Sequence, residues 1–340
     1  MVIRCKNIVL VAGAAVVAIV AIAALIYNMY ARVEYAGESS CWVYIPAGAD
    51  SDSVSAILDR DLGRAGRRAA DMWRLYGGSP LVAHGAYRID PGTRSIDIFR
   101  RVARGAQTPV RITFNNIRQL PQLGARISRS IEADSAHVMA AIDSVLSTRG
   151  YKSEEYIGAF FPDTYEFYWT ARPADVVTSL IAERESFWTD KRRSRAASLG
   201  ITPMQASVIA SIAEEETNDR GERGVVGRLY LNRLHRGMLL QADPTVKYAV
   251  GDFSIRRVTG RHLAVNSPYN TYRSSGLPPG PIRMPERATI DSLLFSTPHD
   301  CLYMCASPDF SGRHLFARDF AAHKRNAEAY HRALNRRNIK

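Results

Sequence analysis

Three consecutive glutamates, Glu214, Glu215 and Glu216, close an apolar run that opens at Thr202, TPMQASVIASIAEEET. A carboxyl group can give a proton to a leaving oxygen and take one back, provided its pKa is pushed toward neutrality. On a helix advancing about 100° per residue, Val208, Ile209 and Ile212 form one stripe. Glu216 falls nearest the centre of that stripe, Glu215 towards its edge, and Glu214 almost opposite. A carboxylate on an apolar face must be neutralised, paired or used, because burying it charged is costly. An ordinary solvated helix end is the competing reading of the same three residues.

Other polar groups follow at spacings that let them converge. Val225–Arg236 reads as a helix with Val226, Leu229, Tyr230 and Arg233 at helical intervals, and Asn232 and Arg233 are candidates to hold backbone or carboxylate groups. The next stretch, MLLQADPTVKYAVG, turns at Asp243-Pro244, placing Gln241 and Asp243 in a loop. Residues 266–281, NSPYNTYRSSGLPPGP, form a long loop of a kind that in compact domains is functional or disordered. An aromatic segment, YIGAFFPDTYEFYWT from Tyr156, either fills a core or lines a groove where rings stack on the C–H faces of sugars. His314 reads as a packed strand residue and His323 as solvated surface on a basic closing helix, Asp319–Arg336.

These groups need elements to position them. Ile8 to Tyr27 carries no charge over twenty residues, enough to cross a bilayer as a helix. Arg4 and Lys6 before it place the N-terminus in the cytoplasm and the rest outside. The run exceeds the roughly 7–15 apolar residues of a signal peptide, so cleavage near Ala23 is the lesser alternative. The expected order is a tail over 1–7, a transmembrane helix over 8–28, a linker over 29–40, a small module over 41–115, connecting helices over 116–150 and a catalytic domain over 151–340. In the module, strands at Cys41–Ile45, Ala86–Ile89 and Val110–Phe114 alternate with helices at 53–62, at 69–76 and at a third site ending at Ala103 and capped by Thr93 or Ser95. This strand, turn, capped-helix theme is LysM-like. Helices over 119–131 and 135–146 follow, then Pro173–Leu199 as one long charged helix facing solvent. A helix over Pro285–Ser296 and two strands, Cys301–Ala306 and His314–Phe316, precede the closing helix. The fold class is α+β: an apolar N-terminal helix, a small LysM-like α+β module and a helix-rich α+β catalytic domain.

Composition narrows the partners. Net charge is +12 and widely spread, which favours an anionic polymer or lipid headgroups, and without a nucleic-acid motif it points away from nucleic acid. The four cysteines, Cys5, Cys41, Cys301 and Cys305, form no CxxC and no cluster with zinc spacing, so neither a metal nor another cofactor is expected. Cys301 and Cys305, read on one strand, lie roughly four times 3.3 Å apart, too far for a disulfide.

The ordered set FPDTYEF, ASIAEEET, LYLNRL, LLQADPTVKYA, SPYNTYRSSGLPPGPI and HLFARDFAAH resembles the YceG-like family of endolytic murein transglycosylases, over essentially the whole chain. In that family the second glutamate of E-x-E-T is catalytic, which implies Glu216, with Glu214 as the first. The LQ-x-DPTV loop maps to Gln241, Asp243, Pro244 and Thr245. The YNTY-x-x-x-GLPP loop maps to Tyr269, Asn270, Thr271, Tyr272, Gly276, Leu277, Pro278 and Pro279. Two positions depart from the pattern: Ile157 precedes Gly158 where an acid is frequent, and Glu215 stands where Lys is common. Glu215 is expected to help keep Glu216 protonated.

The resemblance implies cleavage of the β-1,4 bond after N-acetylmuramic acid without water, the C6 hydroxyl of the same sugar attacking to leave a 1,6-anhydro end. One carboxyl group then suffices where ordinary glycosidases need two. Gln241, Tyr269 and Asn270 would orient the acetamido group and hydroxyls. The implied setting is the bacterial inner membrane, beside peptidoglycan synthases of the elongation machinery, with the catalytic domain periplasmic and terminating nascent strands. The alternatives are a muramidase using water with Asp243 or Asp163 as partner, and a non-catalytic peptidoglycan-binding scaffold.

Overall fold

The computed structural model describes residues 2–337, with side chains from 12 onward. Met1, the side chains of Arg4, Cys5 and Lys6, and residues 338–340 of the closing segment therefore lie outside the described part. Helix α1, Val2–Ala31, extends the expected span at both ends. Its segment Ala12–Ala31 has a mean hydropathy of 2.2 and is long and apolar enough to cross a membrane. Only its last turn packs on the protein, where Ala31 is buried, and Val16, Ile19, Ile22 and Leu25 are exposed.

The first of two compact units spans residues 1–112, 129–133 and 166–171. Strand β1, Cys41–Ile45, leads into α2, Ser51–Tyr76, capped by the Asp50 carboxylate on the Ser53 amide. A short turn α3, Pro80–Ala83, precedes β2, Gly85–Ile89, and α4, Ser95–Ala103. β1 and β2 pair antiparallel with Val43 opposite Tyr87. Val43 and Ile45 join Leu58, Trp73, Ile89 and Ile98 in one apolar core. The two helices expected at 53–62 and 69–76 form one bent element, because Gly63, at φ 54° and ψ −128°, breaks α2 without ending it. Neither Thr93 nor Ser95 caps α4: Thr93 Oγ1 bonds the Asp90 carbonyl, and Ser95 Oγ bonds the Tyr30 carbonyl. β3, Val110–Thr113, closes this stretch.

The second unit spans residues 113–128, 134–165 and 172–340. Helices α5, Leu120–Ser128, and α6, Ser135–Thr148, precede a 3-10 turn at Ser153–Ala159 and strand β4, Thr164–Phe167, which pairs with β3. The long helix expected over Pro173–Leu199 is two helices, α7, Pro173–Phe187, and α8, Asp190–Ser198. It breaks where Phe187 and Trp188 both turn into the core, and α7 buries Val176, Val177, Leu180 and Ile181, so it is no solvent-facing brace.

At the centre lies α9, Pro203–Glu216. A reciprocal capping box starts it: Thr202 Oγ1 accepts from the Gln205 amide at 3.1 Å and Gln205 Oε1 from the Thr202 amide at 2.8 Å, with Pro203 in the first turn. Every residue from Ala206 to Glu214 is buried, so α9 has no solvated face. Helix α10, Arg223–His235, packs on it, and so does α13, Arg287–Phe295, after the short helices α11, Asp243–Val250, and α12, Gly260–Leu263. Gly224 permits the close approach of α10 to α13: a Cβ there would sit 2.6 Å from the Ser292 carbonyl oxygen. Strands β5, Tyr303–Ala306, and β6, His314–Ala317, form an antiparallel pair, and α14, Phe320–Arg336, closes the chain. Cys301 precedes β5 and does not share its strand with Cys305.

Candidate active site

The three glutamates of α9 meet three different fates. Glu214, almost opposite the apolar stripe, is nevertheless fully enclosed because the whole helix is core. Its carboxylate pairs with Arg283 Nε at 3.1 Å and accepts from the Glu286 amide at 2.7 Å. Burial still pushes its pKa up, with Arg283 opposing. Glu215 accepts both Nη2 contacts of Arg118, at 2.8 and 2.7 Å, and a third from Arg283 Nη1 at 3.0 Å. Arg283 thus neutralises two adjacent carboxylates at once. Among the described residues Glu216 has no ion-pair partner, and its Oε1 accepts a 2.6 Å hydrogen bond from Tyr230 OH.

Crowding by protein raises the Glu216 pKa to about 7, first by desolvation and then by the nearby Asp243 carboxylate; the Tyr230 bond, His314 and Lys247 oppose it. The negative charge that supports protonation therefore comes from Asp243, whereas that of Glu215 is spent on two arginines. Burial drives the Tyr230 pKa well up, and the Glu216 carboxylate it serves adds to the rise.

Glu216 opens into a cavity of about 410 Å³ shared with Tyr230, Arg233, Gln241, Asp243, Tyr272, Tyr303 and His323. Asp243 begins α11 instead of hanging in a loop, with Pro244 in the first turn, and Tyr272 OH donates to its Oδ1 at 2.6 Å. Arg233 Nη2 donates to Gln241 Oε1 at 2.7 Å. Gln241 has a positive φ of 53°.

The other motif residues stand behind this surface and do not line it. Asn270 is buried, its Nδ2 donating to the Leu263 and Val265 carbonyls at 2.9 and 2.8 Å while Oδ1 accepts from the Tyr272 amide. Thr271 and Thr245 are buried and bonded to each other at 2.8 Å, and Thr271 Oγ1 accepts from the Ala242 amide at 3.0 Å. The Gln241 amide adds a 3.1 Å bond to the Thr271 carbonyl. These bonds latch the 266–281 loop to the Gln241–Asp243 segment. Tyr269 packs on Tyr248, ring centroids 4.7 Å apart. Asp163 is occupied by an ion pair with Arg287 and lies outside the cavity.

A profile of the YceG-like family matches residues 43–329. The chain belongs to the YceG-like family. A Bacillus subtilis (strain 168) protein named endolytic murein transglycosylase is 25% identical over 315 residues, 88% of this chain and 87% of that one. A Streptococcus pneumoniae protein of the same name (serotype 2, strain D39) is 31% identical over 194 residues, 54% of this chain and 34% of its own length. A crystal structure of a YceG-like protein from Listeria monocytogenes superposes with a TM-score of 0.55 at 23% identity, covering 85% of this chain and 99% of that one, and speaks for the fold.

Within this YceG-like chain, motif reading missed the C-terminal wall of the cavity. Tyr303 and Met304 come from β5, Phe320 and His323 from α14. His323 is no solvated surface residue: its ring stacks on Tyr303 at 5.4 Å and 23°. The aromatic segment from Tyr156, conversely, supplies no side chain to the cavity: Phe160 and Phe161 are core, and Trp169 packs on Tyr44 in the first unit. The signal that could have found the wall was the aromatic and histidine content of HLFARDFAAH, which reading by hydropathy assigns to packing or solvent.

Proposed function

We propose that the chain is an endolytic murein transglycosylase, a lyase that cuts the β-1,4 bond between N-acetylmuramic acid and N-acetylglucosamine within glycan strands and leaves 1,6-anhydro ends. The observation that carries this reading is Glu216: alone of the three adjacent glutamates it has no arginine partner among the described residues, it lines a sugar-sized cavity, and its pKa is raised to about 7. A carboxyl poised there is protonated often enough to give its proton to the leaving oxygen of the aglycone. The resulting carboxylate then takes the proton of the C6 hydroxyl as that oxygen bonds to the anomeric carbon. One bond breaks, one forms, and the proton count balances without water. Tyr230 holds Oε1, which leaves Oε2 for the transferred proton. The relatives' names support the substrate and the reaction class.

In this reading α1 is a single-pass anchor with its N-terminus in the cytoplasm, keeping the second unit near newly made strands and beside their synthases at the inner membrane. The LysM-like module over 41–115 follows α1 in the chain, as a glycan binder or as a spacer. Mass spectrometry of digested sacculi tests the chemistry: 1,6-anhydromuramyl ends are expected, and none with Glu216→Gln. Ordinary reducing ends would establish instead a muramidase. The presence of Asp243 in the cavity favours that second reading over one using Asp163. Undiminished function of Glu216→Gln in cells would leave only a binding scaffold.

A further inference from the structure

Arg233 stands out among the cations of the catalytic unit. It is 9% exposed, lines the Glu216 cavity, and among the described residues pairs with no carboxylate. Among the described residues its Nε has no hydrogen-bond partner, and its guanidinium lies 5.8 Å from the Tyr303 ring centroid. An arginine this enclosed without a counter-ion is costly unless its position is used. Among the described residues its one side-chain hydrogen bond goes to Gln241 Oε1 at 2.7 Å.

That bond has a chemical consequence. A guanidinium carries donors only, so it must take the oxygen of the Gln241 amide and leave the NH₂ group for the cavity. Gln241 itself sits at φ 53°, a conformation disfavoured for a side-chain-bearing residue, and is held there by its backbone bond to Thr271 and by Arg233. We infer that Arg233 is a positioning residue that fixes Gln241 as a hydrogen-bond donor beside Glu216, and that this pair selects N-acetylated over N-deacetylated sugar at that subsite. An acetamido group offers a carbonyl acceptor that matches the NH₂. A free amine offers donors, and once protonated a positive charge facing Arg233, so it is rejected twice over.

The inference rests on the transglycosylase reading, and the experiment separates the two. Full-length protein in detergent is given matched soluble glycan strands, N-acetylated and chemically N-deacetylated. The wild type is expected to prefer the acetylated strand at least tenfold in kcat/KM. Gln241→Glu keeps an ion pair to Arg233 and hence its fold, but turns the donor into an acceptor, and is expected to abolish or invert the preference. Arg233→Met is expected to lose the preference mainly through KM, and Arg233→Lys, which retains a donor, to recover part of it. Equal cleavage of both strands by the wild type overturns the inference, as does full preference in Gln241→Glu or in a folded Arg233→Met. If neither strand is cut, or reducing ends appear, the transglycosylase reading fails. Equilibrium binding of the same two strands to Glu216→Gln then decides the Gln241 role alone, equal affinity overturning it.

Discussion

At the scale of single residues, the Glu216 carboxyl makes stability and activity respond to pH in linked ways. Its folded pKa of about 7 lies above the ordinary 4.5, so the folded state holds the proton more tightly than the unfolded chain. Below pH 4.5 both states are protonated and the group costs nothing; between 4.5 and 7 the unfolded chain gives up its proton while the folded state keeps it, so stability falls and the full loss is in place above 7. Glu216→Gln is therefore expected to match the wild type in thermal unfolding near pH 4 and to exceed it at pH 8, by at most about 3 kcal/mol. Equal melting temperatures at pH 8 would show that the charge is solvated. Tyr230→Phe removes a hydrogen bond that favours the ionised carboxyl. Bonds to charged groups contribute about 1.5–3 kcal/mol, so the alkaline limb of the kcat/KM profile should move up by about one to two pH units, with kcat reduced because the carboxyl loses its orientation. A limb that stays put or moves down would place the titrating acid elsewhere.

At the scale of elements, α9 shows what was legible and what was not. The chemistry-bearing residue types, Glu216 with Gln241 and Asp243, could be read from their motifs, and all three share one cavity. The stripe argument set Glu214 almost opposite the apolar face because it assumes an amphipathic helix; α9 is enclosed all round, and its polar residues are told apart by partners that lie distant in sequence. Arg118 and Arg283 come from about a hundred residues before and about seventy after, distances no periodicity reports. Asn270, Thr271 and Thr245 carry a motif yet work through bonds to the backbone and to each other, which latch the 266–281 loop that carries Tyr272 to the Gln241–Asp243 segment. Arg283 is the element's keystone. Arg283→Met leaves two carboxylates without their shared cation, and removing one member of a buried pair costs about 3–5 kcal/mol. Thermal unfolding of Arg283→Met should show that loss, and the added change Glu214→Gln should restore part of it. A loss below about 1 kcal/mol would mean that Arg118 alone balances the pair.

At the scale of the whole molecule, the chain forms two compact units, the first of which begins with the apolar helix α1. The apolar span and the order of most elements were legible because hydropathy and turn residues are local signals. The bend of α2 at Gly63 and the break after Phe187 were not, since each depends on which side chains the surrounding core accepts. The helix offers the cleanest test at this scale. Its exposed apolar side chains touch no core, so removing them sacrifices no buried area. Its last turn differs: Ala31 is buried, the Arg68 guanidinium lies 4.3 Å from the Tyr30 ring centroid, and Ser95 bonds the Tyr30 carbonyl. A chain starting at residue 29 keeps all three contacts. It should unfold within about 0.5 kcal/mol of the full-length protein, as changes away from packed groups do. It should also stay in the soluble fraction while the full chain sediments with membranes, and cleave detergent-free soluble strands with unchanged kcat/KM. Its cleavage of membrane-proximal nascent strands in cells should fall, because the proposed anchor would contribute local concentration and not chemistry. A truncated chain that melts early, or that loses activity on soluble strands, would make α1 part of the catalytic fold.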